Sequence, residues 1–155
     1  MLPIPTRFAL VSGAAEGREP LTAFDAALLA AGIGDVNLLK VSSILPPGCR
    51  EVERLEFPPG ALVPIAYGAI RSTEAGARLA AAVAVGLGGP GRPGVIVEHT
   101  LRGSREEAER VVRAMVLEAF ANRLRGEPAA VRVASAEHVV ERTGCAFAGV
   151  ALWFD

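Results

Sequence analysis

The sequence predicts a single α+β domain, or a layered α/β domain, with two helices among about seven short strands. Length is the first observation, because 155 residues suffice for one domain with a sizeable core. Periodicity is the second, since two segments repeat apolar residues at helical spacing while the other apolar runs are short or alternate as strands do. Apolar residues make up 51% of the chain but aromatic residues only 5%, which predicts a core of small and β-branched side chains.

The N-terminal part is expected to form a buried strand and then the first helix. Residues 8–12 (FALVS) are an apolar run, and the glycine-rich segment 13–17 that follows predicts a turn. Pro20 opens the helix, and Thr22 and Asp25 have the spacing of an N-terminal cap. A Gly-Ile-Gly turn ends the helix, whose buried face repeats at helical spacing through Phe24, Ala27, Leu28 and Ala31.

The middle of the chain contains the second strand, a break and a segment of uncertain type. Residues 36–41 (VNLLKV) read as a strand that leads into Ser42-Ser43, and residues 46–48 (PPG) then break regular structure. Residues 61–71 predict a strand whose proline indicates an edge position or a bulge. Residues 74–87 are ambiguous, because their alanines favour a helix while their valines alternate as in a strand.

The C-terminal half predicts a strand, the second helix and two final strands. Residues 95–98 (VIVE) form the strand, and Ser104 with Glu107 makes a capping box at the start of the helix. The two final strands are expected over residues 131–140 and 145–154. The apolar face of the second helix consists of Ala108, Val111, Val112, Met115, Ala119 and Phe120.

Composition excludes several classes of protein. Sixteen basic and 17 acidic residues give a net charge of −1, which argues against a nucleic-acid partner. Fifteen of the basic residues are arginine, and a chain of this size whose one lysine is Lys40 is a poor candidate for pyridoxal phosphate chemistry. Cys49 and Cys145 are isolated and are expected to be free thiols of an intracellular protein. No signal peptide or membrane-spanning stretch is recognisable, so we expect a cytoplasmic protein with no membrane partner.

Familiar catalytic motifs are missing, which leaves one unusual dipeptide. The sequence contains no nucleotide-binding glycine loop, and His99 and His138 lack neighbours at metal-ligand spacing, so no metal is expected. No nucleophile-elbow pattern supports a serine triad. Ser42-Ser43 remains, at the end of a predicted strand, although a serine pair alone usually marks only a turn.

The segments around the serine pair and further along the chain, taken in order, resemble those of a known protein family. In order, the chain reads SGAAEG at 12–17, PLTAFDAALL at 20–29 and GIGDVNLLKVSSILPP at 32–47, followed by GALVPIAYG at 60–68, VIVE at 95–98 and GCAFA at 144–148. This ordered set resembles the pyruvoyl-dependent arginine decarboxylase family over nearly the whole chain. The resemblance implies a layered α-β-β-α sandwich of one domain, residues 1–155, cleaved into a β chain of residues 1–42 and an α chain of residues 43–155.

The resemblance also implies the chemistry. The hydroxyl of Ser43 would attack the carbonyl of Ser42, and cleavage would convert residue 43 into a pyruvoyl group, so that neither pyridoxal phosphate nor a metal is needed. That group would bind the amine of arginine and release carbon dioxide and agmatine. Relatives assemble as trimers with sites between subunits, which implies a homotrimer or hexamer here. A pyruvoyl decarboxylase for another amino acid, and an uncleaved, non-catalytic binding or assembly subunit, remain alternatives.

Four further positions match the family's site residues. The resemblance makes Glu98 the proton donor, and makes Asn37 a donor to the oxyanion during cleavage. It places Asp25 in the substrate pocket, where a carboxylate suits a guanidinium group, and Leu28 beside the methylene stem of the substrate. Purely structural roles stay open: a solvated strand end for Glu98, a local hydrogen bond for Asn37 and helix capping for Asp25.

Overall fold

Nine strands and two helices make up the chain, and a computed structural model describes all of residues 1–155. Both predicted helices are present, and the strands exceed the expected number partly because two of them contain only two residues. In chain order the elements are β1 (Arg7–Glu16), α1 (Pro20–Ala30), β2 (Asn37–Lys40), β3 (Ile44–Leu45), β4 (Arg50–Glu51), β5 (Leu62–Ser72), β6 (Arg78–Leu87), β7 (Gly94–Arg102), α2 (Arg105–Asn122), β8 (Ala130–Val139) and β9 (Gly144–Trp153).

The strands form two sheets that face each other, and each sheet carries one helix on its outer side. The five-stranded sheet has the order β2-β5-β9-β1-β4, and the four-stranded sheet has the order β3-β7-β6-β8. Helix α1 packs Ala27 against Phe147 of β9, and α2 packs Val112 against the alanines of β6. A third apolar cluster, which includes Val83 and Val150, fills the space between the sheets. The α-β-β-α layering that the family resemblance implies is therefore confirmed.

The ambiguous segment 74–87 contains a strand. Strand β6 lies between β7 and β8, and its residues from Leu79 to Gly86 are buried. Its even-numbered alanines, such as Ala82, face α2, while Val83 and Val85 face the space between the sheets. A strand buried on both faces reads as a continuous apolar run, and its small residues let the helix approach closely, so the alanines indicate packing rather than helix formation.

The turn predicted at residues 13–17 is wrong, because β1 continues through Gly13 to Glu16. Gly13 lies directly beneath α1: a Cβ atom added there would stand 2.5 Å from the carbonyl oxygen of Ala27. The glycine therefore provides close approach between strand and helix rather than a change of chain direction.

The two helices differ in how well their starts could be predicted. Ser104 caps α2 as expected, because its Oγ accepts a hydrogen bond from the backbone N–H of Glu107 at 3.2 Å. Helix α1 starts earlier than the predicted cap, at Glu19, whose N–H donates to Oγ1 of Thr22 at 3.1 Å. Asp25 lies within the helix and does not cap it, since Pro20 occupies the first helical position, which needs no hydrogen-bond donor.

Pro64 does not mark an edge strand, because β5 lies between β2 and β9. The antiparallel register of β5 with β9 begins at Ile65, paired with Ala151. Pro64 precedes that register by one residue, so its missing N–H removes no hydrogen bond from the β5–β9 ladder.

Both cysteines are unpaired, as the sequence predicts. Burial raises the pKa of the Cys49 and Cys145 thiols to about 11, so neither is a ready nucleophile at neutral pH. The structure contains no group of three or more histidine, cysteine or carboxylate side chains that could hold a metal ion. Neither helix combines the length and the apolar character needed to cross a bilayer.

Candidate active site

The serine pair lies where the chain passes from one sheet to the other. On one side of it, the N–H of Val41 donates to the carbonyl of Ile65 in the five-stranded sheet at 3.0 Å. On the other side, the N–H of Ile96 in the four-stranded sheet donates to the carbonyl of Ser43 at 2.7 Å. The peptide bond between Ser42 and Ser43 therefore lies between two anchors, one in each sheet. Ser42 is exposed and Ser43 is partly buried.

Glu98 lies close to this crossing. It follows Ile96 by two residues on β7, so its side chain shares the inward face of the strand, about 7 Å further along. Gly68 of β5 is opposite: a Cβ atom added there would stand 3.6 Å from Cβ and Cγ of Glu98. The glycine leaves room between the sheets, and the predicted proton donor lies two residues along β7 from the hydrogen-bond partner of Ser43.

The environment of Glu98 favours its protonated form. Burial raises the pKa of the Glu98 carboxyl, and the positive charge of Lys40 offsets only part of this effect. The ammonium group of Lys40 lies 4.7 Å from the centre of the Tyr67 ring, a cation–π contact. A carboxylic acid that stays protonated closer to neutral pH suits a general acid. No local sequence pattern indicates the contribution of Lys40 or that of Gly68.

An apolar groove of about 450 Å³ borders the serine pair. Both serine side chains line it, and no carboxylate is among the lining residues. Large side chains around it remain exposed, namely Leu39, Ile44 and Leu62. The groove lining also includes Leu2, Pro3, Pro5, Val41, Pro46, Pro64, Leu152 and Phe154. Such a groove can hold the methylene chain of a substrate, but this chain alone provides no partner in it for a cationic end group.

The other three predicted site residues lie apart from the serine pair. Asp25 is exposed on α1, and Leu28 is only 7% exposed because it packs in the cluster beneath that helix. Asn37 opens β2, about 13 Å along the strand from Val41. Its side-chain amide donates to the carbonyl of Gly60 at 3.0 Å, the local hydrogen bond that the sequence left open. Of the predicted site residues, only Ser42 and Ser43 line the groove, and only Glu98 shares a strand with the hydrogen-bond partner of Ser43.

Comparison with known proteins decides the family. The sequence profile of the pyruvoyl-dependent arginine decarboxylases matches residues 7–154. The chain belongs to this family. A pyruvoyl-dependent arginine decarboxylase of Methanocaldococcus jannaschii is 44% identical over 153 residues, which cover 97% of this chain and 92% of the relative. One from Thermococcus kodakarensis is 41% identical over 152 residues, which cover 97% of this chain and 96% of the relative. One from Methanococcus vannielii is 40% identical over 151 residues, with 97% and 92% covered.

The residues at the crossing fit the protein-derived group that gives the pyruvoyl-dependent arginine decarboxylases their name. Such a group must come from a residue of the chain itself, and Ser43 has its hydroxyl beside an anchored peptide bond. The groove lets a small substrate reach this position, and the partly buried Glu98 lies within the same layer. The groove therefore offers a residue for forming the group and space for a substrate, while Glu98 lies outside its lining, two residues from the hydrogen-bond partner of Ser43.

Proposed function

We propose that this chain is a self-processing pyruvoyl-dependent decarboxylase that converts L-arginine to agmatine and carbon dioxide. The observation that carries the proposal is the serine pair held between two sheets beside a carboxyl group with a raised pKa. Membership of the family supports the choice of arginine. Two unpaired thiols suit a reducing compartment, so we place the enzyme in the cytoplasm.

The covalent steps of processing would take place on the two serines. The Ser43 hydroxyl adds to the carbonyl carbon of Ser42, its proton passes to the departing amide nitrogen, and an ester replaces the peptide bond. Elimination then releases the Ser42 carboxylate and leaves residue 43 as dehydroalanine, and water converts it to the pyruvoyl group with loss of ammonia. The products are residues 1–42 and 43–155. Anchors on both sides would hold the hydroxyl against the carbonyl, and the amide of Asn37 would stabilise the oxyanion.

In the decarboxylation itself, the pyruvoyl group supplies an electrophilic carbonyl that binds the substrate amine and withdraws electrons from the carbon that loses carbon dioxide. Glu98 would then deliver its proton to that carbon. Burial raises the pKa of this carboxyl, which favours the protonated form that the step needs. Asp25 would bind the guanidinium group through two parallel hydrogen bonds, and Leu28 would contact the methylene stem.

The complete site would form between subunits of a homotrimer or hexamer. The groove beside Ser43 has no carboxylate of its own, whereas Asp25 is exposed on the outer side of the five-stranded sheet. Contact between two copies would bring the missing carboxylate to the groove and cover the apolar side chains around it, namely Leu39, Ile44 and Leu62. Asn37 would join the serine pair of a neighbour in the same way.

Intact-mass spectrometry of the purified protein tests the proposal. We expect two fragments, residues 1–42 and 43–155, the second without a free amino terminus and reducible by borohydride. Ser43→Ala should remain one uncleaved, inactive chain, whereas Ser12→Ala, which changes a serine in β1, should be cleaved like the wild type. A wild-type chain that stays at 16.1 kDa through long incubation would contradict the proposal. A panel of amino acids assayed for carbon dioxide release would contradict the choice of arginine if another substrate were preferred.

A further inference from the structure

The hydrogen bond between Ile96 and Ser43 extends the antiparallel pairing of β3 with β7 by one residue, to the edge of the crossing. Odd-numbered residues of β7 pair with β6, because the N–H of Gly103 bonds to the carbonyl of Arg78 in the same register. Even-numbered residues therefore point their N–H groups away from β6. Strand β3, which lies on that side, is only two residues long. Ile96 thus donates at 2.7 Å to Ser43, a residue outside any strand, at the edge of the crossing.

This hydrogen bond does not involve the peptide bond that processing would cleave. The bond broken lies before residue 43, so the carbonyl of residue 43 stays attached to Ile44. Ile44 remains paired with Val95 in β3 and β7, and this pairing fixes the carbonyl in front of the Ile96 N–H. After processing, the same oxygen belongs to the amide carbonyl bonded directly to the new ketone carbon. The donor would therefore contact the prosthetic group itself.

We infer that the backbone N–H of Ile96 stabilises negative charge on the carbonyl oxygen of residue 43 during decarboxylation. The inference rests on the proposed function. When the bond to carbon dioxide breaks, its electron pair spreads from the substrate carbon to the former ketone carbon and onto the adjoining amide oxygen. The Ile96 N–H meets that oxygen at hydrogen-bond distance before any charge develops. The pair returns to the substrate carbon when the proton of Glu98 is transferred.

Replacing one amide by an ester tests this role without changing any side chain. The α-hydroxy acid with the isoleucine side chain, inserted at position 96 in the full chain, removes the N–H and keeps the buried side chain. A matched ester at Thr100 removes another outward-pointing N–H of β7, four residues further along and beyond β3. We expect the ester at 96 to lower kcat roughly 10- to 100-fold at nearly unchanged KM, and the ester at 100 to leave both unchanged.

Amide hydrogen exchange on the unmodified, cleaved enzyme supplies a readout that needs neither activity nor a variant. The Ile96 amide should remain protected after cleavage, whereas the Thr100 amide should exchange quickly. Rapid exchange at Ile96, or equal kcat values for the two ester variants, would overturn the inference. Failure of the proposed function looks different, because the wild-type chain would then not be cleaved at all.

Discussion

At the scale of single residues, Glu98 is the group whose chemistry depends most on its surroundings. Glutamine has the same shape but no acidic proton, so Glu98→Gln should be cleaved normally and lose about 10²- to 10⁴-fold in kcat. Glu118→Gln, which changes an exposed glutamate of α2, should behave as wild type in both respects. Stopped-time assays of carbon dioxide release, with mass spectrometry to verify cleavage, would measure this. Near wild-type turnover in Glu98→Gln would remove the proton-donor assignment.

The pH dependence of turnover follows from the same residue. Glu98 donates only when it is protonated, and burial raises its pKa above the ordinary value of 4.5. Activity should therefore hold below the raised pKa and decline as the pH rises through it. The residual activity of Glu98→Gln should lack this decline, whereas Glu118→Gln should keep it, in profiles of kcat against pH.

At the scale of elements, a partly buried contact between a glutamate and a histidine joins strands that are distant in sequence. Glu16 at the end of β1 contacts Nε2 of His138 on β8 at 2.5 Å, and it accepts hydrogen bonds from the N–H groups of Arg142 and Thr143. Gly144 leaves room for the histidine ring, since a Cβ atom there would stand 2.5 Å from its Cδ2. Burial alone would raise the pKa of Glu16, but these hydrogen bonds hold it below its ordinary value.

Glu16→Ala should therefore cost about 1–3 kcal/mol of unfolding free energy at neutral pH. A carboxyl with a lowered folded-state pKa stabilises the fold above its unfolded-state value of 4.5 and loses that contribution as the pH falls through the folded-state pKa. The difference from wild type should thus shrink in acid. Urea unfolding in a Ser43→Ala background, at equal protein concentration, measures it, with Glu118→Ala as the control. An equal difference at pH 7 and at pH 3 would contradict the role of the charge.

The elements also show what the sequence could and could not predict. Helix α2 was predictable because the cap at Ser104 and the helical spacing of its apolar residues are both visible in the local sequence. The turn expected around Gly13 was wrong, and β6 was ambiguous, for the same reason. In both strands the small residues are needed because a helix packs closely on them. Local patterns do not contain that tertiary contact. Likewise, nothing near His138 in the sequence indicates its pairing with Glu16.

At the scale of the whole molecule, the site divides into two groups of residues. One group is Ser42, Ser43 and Glu98. The chain crosses between its own sheets at the serine pair, and Glu98 lies two residues from the partner of Ser43 on β7. The family resemblance had already related these three residues. Asp25 and Asn37 lie elsewhere on the same chain, and only an assembly would bring them to the serine pair. Family resemblance could propose these residues, but a single chain contains no contact that joins the two groups.

Mixing variants would show whether two chains build one site. Asp25→Asn and Glu98→Gln should each be nearly inactive alone. Co-expressed, they should regain activity at about one site in four, because a random assembly then pairs an intact Asp25 from one chain with an intact Glu98 from the next. Ser43→Ala with Glu98→Gln should regain nothing, since both changes damage the same half of the site. Agmatine formation per milligram measures the recovery. No recovery in the first pair would place Asp25 outside the shared site. Another residue would then have to bind the guanidinium group of the substrate.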